Sequence, residues 1–145
     1  MFWKLIAKIL PSRIVYAHCD VPCGIYDPKP AQIAAQTMLK MVQKINEQAA
    51  SGTHDDEGEN SFIRMVMTKE EHGRILKHEL SVLWSDYFKP EHLEKYPDLH
   101  DKFWKTMKLA SEVKQTVDET AAQELIEAVD EIAKVFEETK TASSG

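Results

Sequence analysis

The chain has 145 residues, 43% of them apolar and 29% charged, with five glycines and six prolines; this describes one globular domain and excludes collagen-like, low-complexity and wholly disordered chains. A domain of this length buries roughly two thirds of the surface that its unfolded form exposes, so it can build a core without disulfide or metal staples. Eighteen Lys plus Arg stand against 24 Asp plus Glu, a net charge of −6 with no five-residue basic cluster, which argues against a nucleic-acid partner.

The first seventeen residues, MFWKLIAKILPSRIVYA, are apolar and aromatic, carry Lys4, Lys8 and Arg13 and no acid, and end in Val15-Tyr16-Ala17. Small residues at both ends of that triplet suit cleavage after Ala17. Lys8 splits the apolar stretch into pieces shorter than the usual ~7–15-residue core of a secretory signal, so a short propeptide, 1–17, is the preferred reading and a secretory signal the alternative. Its removal takes three bases and no acid, moves the net charge from −6 to −9 and makes His18 the first residue. No run of 18 apolar residues occurs, so no membrane-spanning helix is expected.

Residues 18–28, HCDVPCGIYDP, hold both cysteines, two prolines and a glycine without helical or strand periodicity, and read as an irregular hook. Pro28 and Pro30 suit a helix first turn, and Ile33, Met38, Met41, Val42 and Ile45 carry a first helix to about Ala49. Ser51 to Asn60 is polar, with two glycines, and reads as an exposed connection. From Ser61, the positions Phe62, Met65, Val66, Ile75, Leu76, Leu80 and Leu83 predict a long second helix, weakened in its middle by Gly73 and ended by Pro90 soon after Trp84.

After a turn at Lys89-Pro90 and a break at Pro97, the residues Leu99, Phe103, Trp104, Met107 and Leu109 predict a third helix to about Val113. Thr116-Val117-Asp118-Glu119 matches a capping box, and Leu125, Val129, Ile132 and Phe136 follow in steps of four and three to about Thr139. The tail, 141–145, should fray. An all-α fold follows: an antiparallel four-helix bundle over 29–140 with an irregular N-terminal metal-binding hook.

His18, Cys19 and Cys23 place three metal-binding side chains within six residues. A structural zinc site needs four ligands, usually in two separated pairs, and there is no second cysteine pair. A Cys19–Cys23 disulfide would close a very short loop, the kind that gains least in chain entropy. Cleavage after Ala17 would add the α-amine of His18 as a further donor. The amine, the deprotonated amide of Cys19 and two thiolates can lie in one plane, a donor set that suits Ni(II) or Cu(II), with the His18 imidazole free to bind axially. A cis Val21-Pro22 bond would curl the chain enough to return Cys23 to Cys19.

HCDVPCGIYDP resembles the nickel-binding hook of the nickel superoxide dismutases, H-C-D-x-P-C-G-x-Y-D-P at the mature N-terminus, at every fixed position. Ser81-Val82-Leu83-Trp84-Ser85-Asp86-Tyr87-Phe88-Lys89-Pro90, Glu94-Lys95-Tyr96-Pro97 and Glu138-Thr139-Lys140 are also similar to the family. The resemblance spans 18–140, least over 50–70. It implies superoxide dismutation by Ni(II)/Ni(III) cycling with one nickel ion per subunit. His18 would then give amine and imidazole, Cys19 amidate and thiolate, and Cys23 its thiolate. Tyr26 and Tyr87 would limit access to the open face of the metal and order water or peroxide there. Asp20 and Pro22 would shape the hook, and Lys89 could focus an anionic substrate. For Trp84 and Phe88, packing is the preferred reading.

The chain departs from the family at Ala34 and His72, where better-known members carry a glutamate and an arginine that hold the axial imidazole. Support of that kind orients a ligating imidazole and tunes its metal, so His72 is expected to take over part of the role. His54, His78, His92 and His100 read as surface or structural, and Met38, Met41, Met65 and Met67 as core or interface. The resemblance further implies a homohexamer and a maturation protease, and with the poor signal character of the leader it suggests a cytoplasmic protein. Two alternatives remain: a secreted helical binding module with a Cys19–Cys23 disulfide, or a nickel or copper chaperone.

Overall fold

In the computed structural model, residues 24–52 and 55–142 are described. The expected propeptide 1–17, the expected donors His18, Cys19 and Cys23, the neighbours Asp20 and Pro22, and His54 lie outside them. The elements are α1 (Lys29–Ser51), α2 (Asp56–Val82), a π-helical turn (Leu83–Tyr87), the short α3 (Pro90–Lys95), α4 (Leu99–Gln115) and α5 (Glu119–Ala142). No strand occurs among the described residues.

The four long helices run up, down, up and down around one core. Gln32 meets Asp130 and Asn46 meets Glu119, so α1 and α5 are antiparallel. Lys69 reaches Val113, while the Trp84 ring lies 5.1 Å from Phe103, so α2 and α4 are antiparallel too. The buried face of α1 is Ala31, Ala34, Ala35, Met38, Val42 and Ile45. Ile33, expected to face inward, is half exposed. Three alanines therefore form the inward stripe near the start of α1, where short side chains let backbones approach. On α5, Leu125, Val129, Ile132 and Phe136 are all buried as their spacing predicts.

Three boundaries differ from the expectations. Residues 56–60 belong to α2: Asp55 has extended backbone, its Oδ1 accepts from Gly58 N at 2.8 Å, and Asp56, Glu57 and Glu59 fill a first turn that favours negative charge. The cap of α5 is Asp118, whose Oδ1 accepts from the amides of Thr120 and Ala121, whereas Thr116 donates back to Glu112 O of the preceding helix. Helix α5 also continues through 141 and 142. The connection before α4 contains a further helix, α3, whose first residue is Pro90; Lys89 before it has the extended backbone that a following proline enforces.

Gly73 marks a close approach rather than a weak spot. A Cβ there would collide with Lys114 Cγ and lie 3.2 Å from Met38 Cε. One turn earlier, the buried Lys69 sends its ammonium to the carbonyls of Val113 (2.8 Å), Lys114 (2.7 Å) and Thr116 (2.5 Å). Those carbonyls include ones that a helix end leaves without partners, so a lysine of α2 closes the C-terminus of α4. Burial pushes the pKa of Lys69 below its usual 10.5, opposed by Glu70 and assisted by Lys114. We expect Lys69→Met to lower unfolding free energy by about 2 kcal/mol in urea titration, because it keeps the apolar stem and removes three hydrogen bonds to a charged donor.

Candidate metal centre

The chain enters the described region at Gly24, whose φ of +65° is a left-handed conformation that glycine adopts without strain. Asp27 Oδ1 then accepts from Lys29 N at 2.8 Å, and Pro28 is buried at the mouth of α1. Between them Tyr26 packs on the core, with its ring centroid 5.5 Å from that of Tyr87. Ile25, Tyr26, Asp27 and Pro30 face Glu79, Val82 and Leu83 across an open cleft of about 230 Å³. The end of the hook is thus fixed against the last turn of α2.

Tyr87 owes its place to a departure from α-helical winding. Phe88 N donates to Leu83 O at 3.1 Å, five residues back, which closes the π-turn. One extra residue in a turn rotates the succeeding side chains by about 100° relative to an α-helix. The ring of Tyr87 is then gripped by Phe136 at 4.4 Å, Phe88 at 5.0 Å and His92 at 5.7 Å, the last nearly parallel at 22°. Its hydroxyl lies 2.9 Å from Thr139 Oγ1. Trp84 and Phe88 are partly buried and both meet Phe103, which fits their packing role.

A second tie runs parallel to this one. Tyr96, just after α3, donates to Glu138 Oε2 at 2.5 Å. Lys95 lies over the Tyr96 ring and is held above its usual 10.5, first by a hydrogen bond with Tyr96 and further by the attraction of Glu138. Lys140 lies over the Phe136 ring at 5.4 Å. Four separated stretches therefore converge on one end of the bundle: 24–28, 81–90, 94–97 and 136–140.

Of the expected site residues, the structure brings Tyr26 and Tyr87 into contact. Lys89 is exposed just beyond Tyr87, its amide donating to His92 Nδ1 at 3.1 Å. His72 is not brought to either tyrosine. Its Nδ1 faces Thr68 O at 2.9 Å, in a surface depression lined by α2 residues alone, and fifteen residues of helix put it roughly 20 Å from Tyr87 along the axis. Ala34 is buried in the core. Sequence reasoning gives His92 no part in the site and Phe136 only a place in the core; the signal for His92 is its position in the first turn after Lys89-Pro90, where a side-chain acceptor can cap the incoming amide.

Among the described residues no group of three or more His, Cys, Asp or Glu side chains could hold a metal ion. The candidate donors are those of the adjoining hook, His18, Cys19 and Cys23, and the chemistry of that set fits a thiolate-favouring, plane-forming ion such as nickel. The described residues define a class: an all-helical bundle whose N-terminal entry, next to a segment with candidate metal donors, packs against a tyrosine pair.

The nickel-containing superoxide dismutase family model matches residues 13–140, and the chain belongs to that family, whose members are nickel-dependent oxidoreductases. It is 40% identical over 132 residues to a nickel superoxide dismutase of Streptomyces coelicolor, covering 91% of this chain and 95% of that one. To the nickel superoxide dismutase of Streptomyces seoulensis it is 42% identical over 139 residues, covering 95% and 100%. The native nickel superoxide dismutase structure at 1.30 Å aligns with a TM-score of 0.73 at 40% identity, over 85% of this chain and 99% of that one.

Since Tyr96 is the polar tie from the end of α3 to α5, Tyr96→Phe should leave the bundle folded and raise amide hydrogen exchange across Pro90–Lys95 about tenfold, the loss of one charge-assisted hydrogen bond. Exchange unchanged in that segment would show that packing alone holds α3.

Proposed function

We propose that the mature chain dismutes superoxide at one nickel ion per subunit, held by the amine and imidazole of His18, the amidate and thiolate of Cys19 and the thiolate of Cys23. The observation that carries this reading is the contact of Tyr26, three residues beyond Cys23, with Tyr87 on the π-turn, within a chain of this family. When bound, nickel supplies a one-electron couple by which one superoxide is oxidised to dioxygen and a second, with two protons, is reduced to hydrogen peroxide.

The chain's own residues prepare that chemistry. Cleavage after Ala17 converts an acylated nitrogen, which is a poor ligand, into a free amine. Thiolates bind metal where thiols do not, so Cys19 and Cys23 release protons as the site forms. Tyr26 and Tyr87 narrow the approach so that a diatomic anion and water enter and larger reductants do not. Asp20 and Pro22 hold the curl of the hook. Lys89 sets a positive charge beside the mouth of an acidic protein. His72 has a local role on α2 in this reading and none at the metal within the same subunit.

We further propose a homohexamer, a protease that removes 1–17, and a cytoplasmic site of action. Among the described residues no helix is long and apolar enough to cross a membrane.

Mass spectrometry of the mature chain should show a start at His18 and one nickel, with activity proportional to nickel content. Cys19→Ser, or retention of the leader, should abolish activity while the helical circular dichroism stays unchanged. Full activity in either form would overturn the ligand set. Neither nickel nor turnover in the wild type would favour a disulfide-bearing binding module, and nickel without turnover a chaperone.

Lys89→Ala should lower kcat/KM several-fold at low salt, and the gap should close near 1 M salt, where the screening length falls to about 3 Å. A gap independent of salt would assign Lys89 a local contact instead of a steering field.

A further inference from the structure

A tyrosine hydroxyl has one hydrogen to give and two lone pairs to offer. Tyr87 Oη lies 2.9 Å from Thr139 Oγ1 and 3.4 Å from Phe136 O, and Thr139 Oγ1 lies 2.8 Å from that same carbonyl. A carbonyl only accepts. The short Thr139–Phe136 contact takes the threonine hydrogen, so the Tyr87 hydrogen goes to Thr139 Oγ1. With the threonine hydrogen on Phe136 O, the shorter of the two contacts to that carbonyl, the phenolic hydrogen is turned toward α5, and a further partner of Tyr87 meets its lone pairs.

Two features make this polarity durable. Thr139 is 2% exposed, so its hydroxyl has little water to turn to. The Tyr87 ring is held by Phe136, Phe88 and His92, so the oxygen cannot swing to a new position without unpacking them.

We propose that Thr139 is a positioning residue that fixes Tyr87 as a hydrogen-bond acceptor at the hook. The phenol then receives species that bring their own hydrogen, water or hydrogen peroxide, and gives no hydrogen bond to a bare anion such as superoxide. Substrate is left to charge and to the metal, and the protonated product is what the tyrosine recognises. This rests on the reading of 18–23 as the nickel hook.

The test uses the mature chain labelled with ¹³Cζ-tyrosine, with Tyr87→Phe identifying the Tyr87 resonance, and azide as an anion that can only accept. In the metal-free protein Thr139→Val should shift the Tyr87 Cζ resonance, and Thr139→Ser should restore it. In the nickel-loaded protein Thr139→Val releases the phenolic hydrogen, so azide should inhibit roughly three- to tenfold more tightly, the worth of one hydrogen bond, and Thr139→Ser should return inhibition to the wild-type value. Should Thr139→Val lose helical circular dichroism, Thr139→Ala takes its place. An unmoved Cζ resonance overturns the hydrogen bond. A moved resonance with unchanged azide inhibition overturns the acceptor role. A wild-type chain that takes up no nickel refutes the metal assignment and with it the acceptor role at the hook, whereas the Cζ shift still decides the Thr139–Tyr87 bond.

Discussion

The contact between Tyr87 and Thr139 spans 52 residues of sequence and fixes the end of the bundle where the hook joins α1. Without it the π-turn would keep only the longer contact of Tyr87 with Phe136 O as a polar anchor on α5, and the wall against which Tyr26 packs would rest mainly on ring contacts. Tyr96 and Glu138 repeat the tie one residue away on the same helix. Paired hydrogen bonds to neighbouring residues resist rotation as well as separation, which a single contact does not. The hook residues 24–28 have no core of their own, and their order is lent by this wall and by the left-handed turn at Gly24.

The rest of the bundle keeps that wall still. The alanine stripe of α1 and the gap at Gly73 let helices approach closely, and close approach leaves little room for sliding. Lys69 adds a directional restraint by binding three carbonyls at the end of α4. It acts far from Tyr87, at the middle of α2 where α4 ends, so the α4 C-terminus is locked by charge and its N-terminal part by aromatic packing.

Much of this architecture is legible in the chain alone, for a physical reason. Leu125, Val129, Ile132 and Phe136 are large and regularly spaced, so burial follows from their period. The alanines of α1 carry little hydropathy and leave Ile33 as the more visible, and misleading, marker. Residues 56–60 resemble a loop because acids and glycine dominate them, yet acids at a helix N-terminus are stabilising. Thr116 has the spacing of a cap, but Asp118 stands nearer to the free amides. The hook motif points to a metal and a family without any knowledge of the fold. What periodicity cannot supply is the mutual position of Tyr26, Tyr87 and Thr139, because a π-turn changes the direction of a side chain without leaving a mark in the hydrophobic pattern.

His72 illustrates the limit of counting along matched segments. Its place in the second helix invites a role beside the axial imidazole, yet its ring faces a carbonyl of its own helix roughly 20 Å from Tyr87. Support for an imidazole needs a partner within hydrogen-bond reach, about 3 Å, and a residue so far along the helix from Tyr87 does not share the wall that Tyr26 and Tyr87 form. The buried Ala34 cannot donate or accept through its side chain either. In this chain the scaffold beside the hook is therefore aromatic and hydroxylic: Tyr26 and Tyr87, backed by Thr139, Phe136 and His92. Such a wall offers shape and, in the proposed arrangement, the direction of one hydrogen, and neither depends on a charged residue at position 34 or 72.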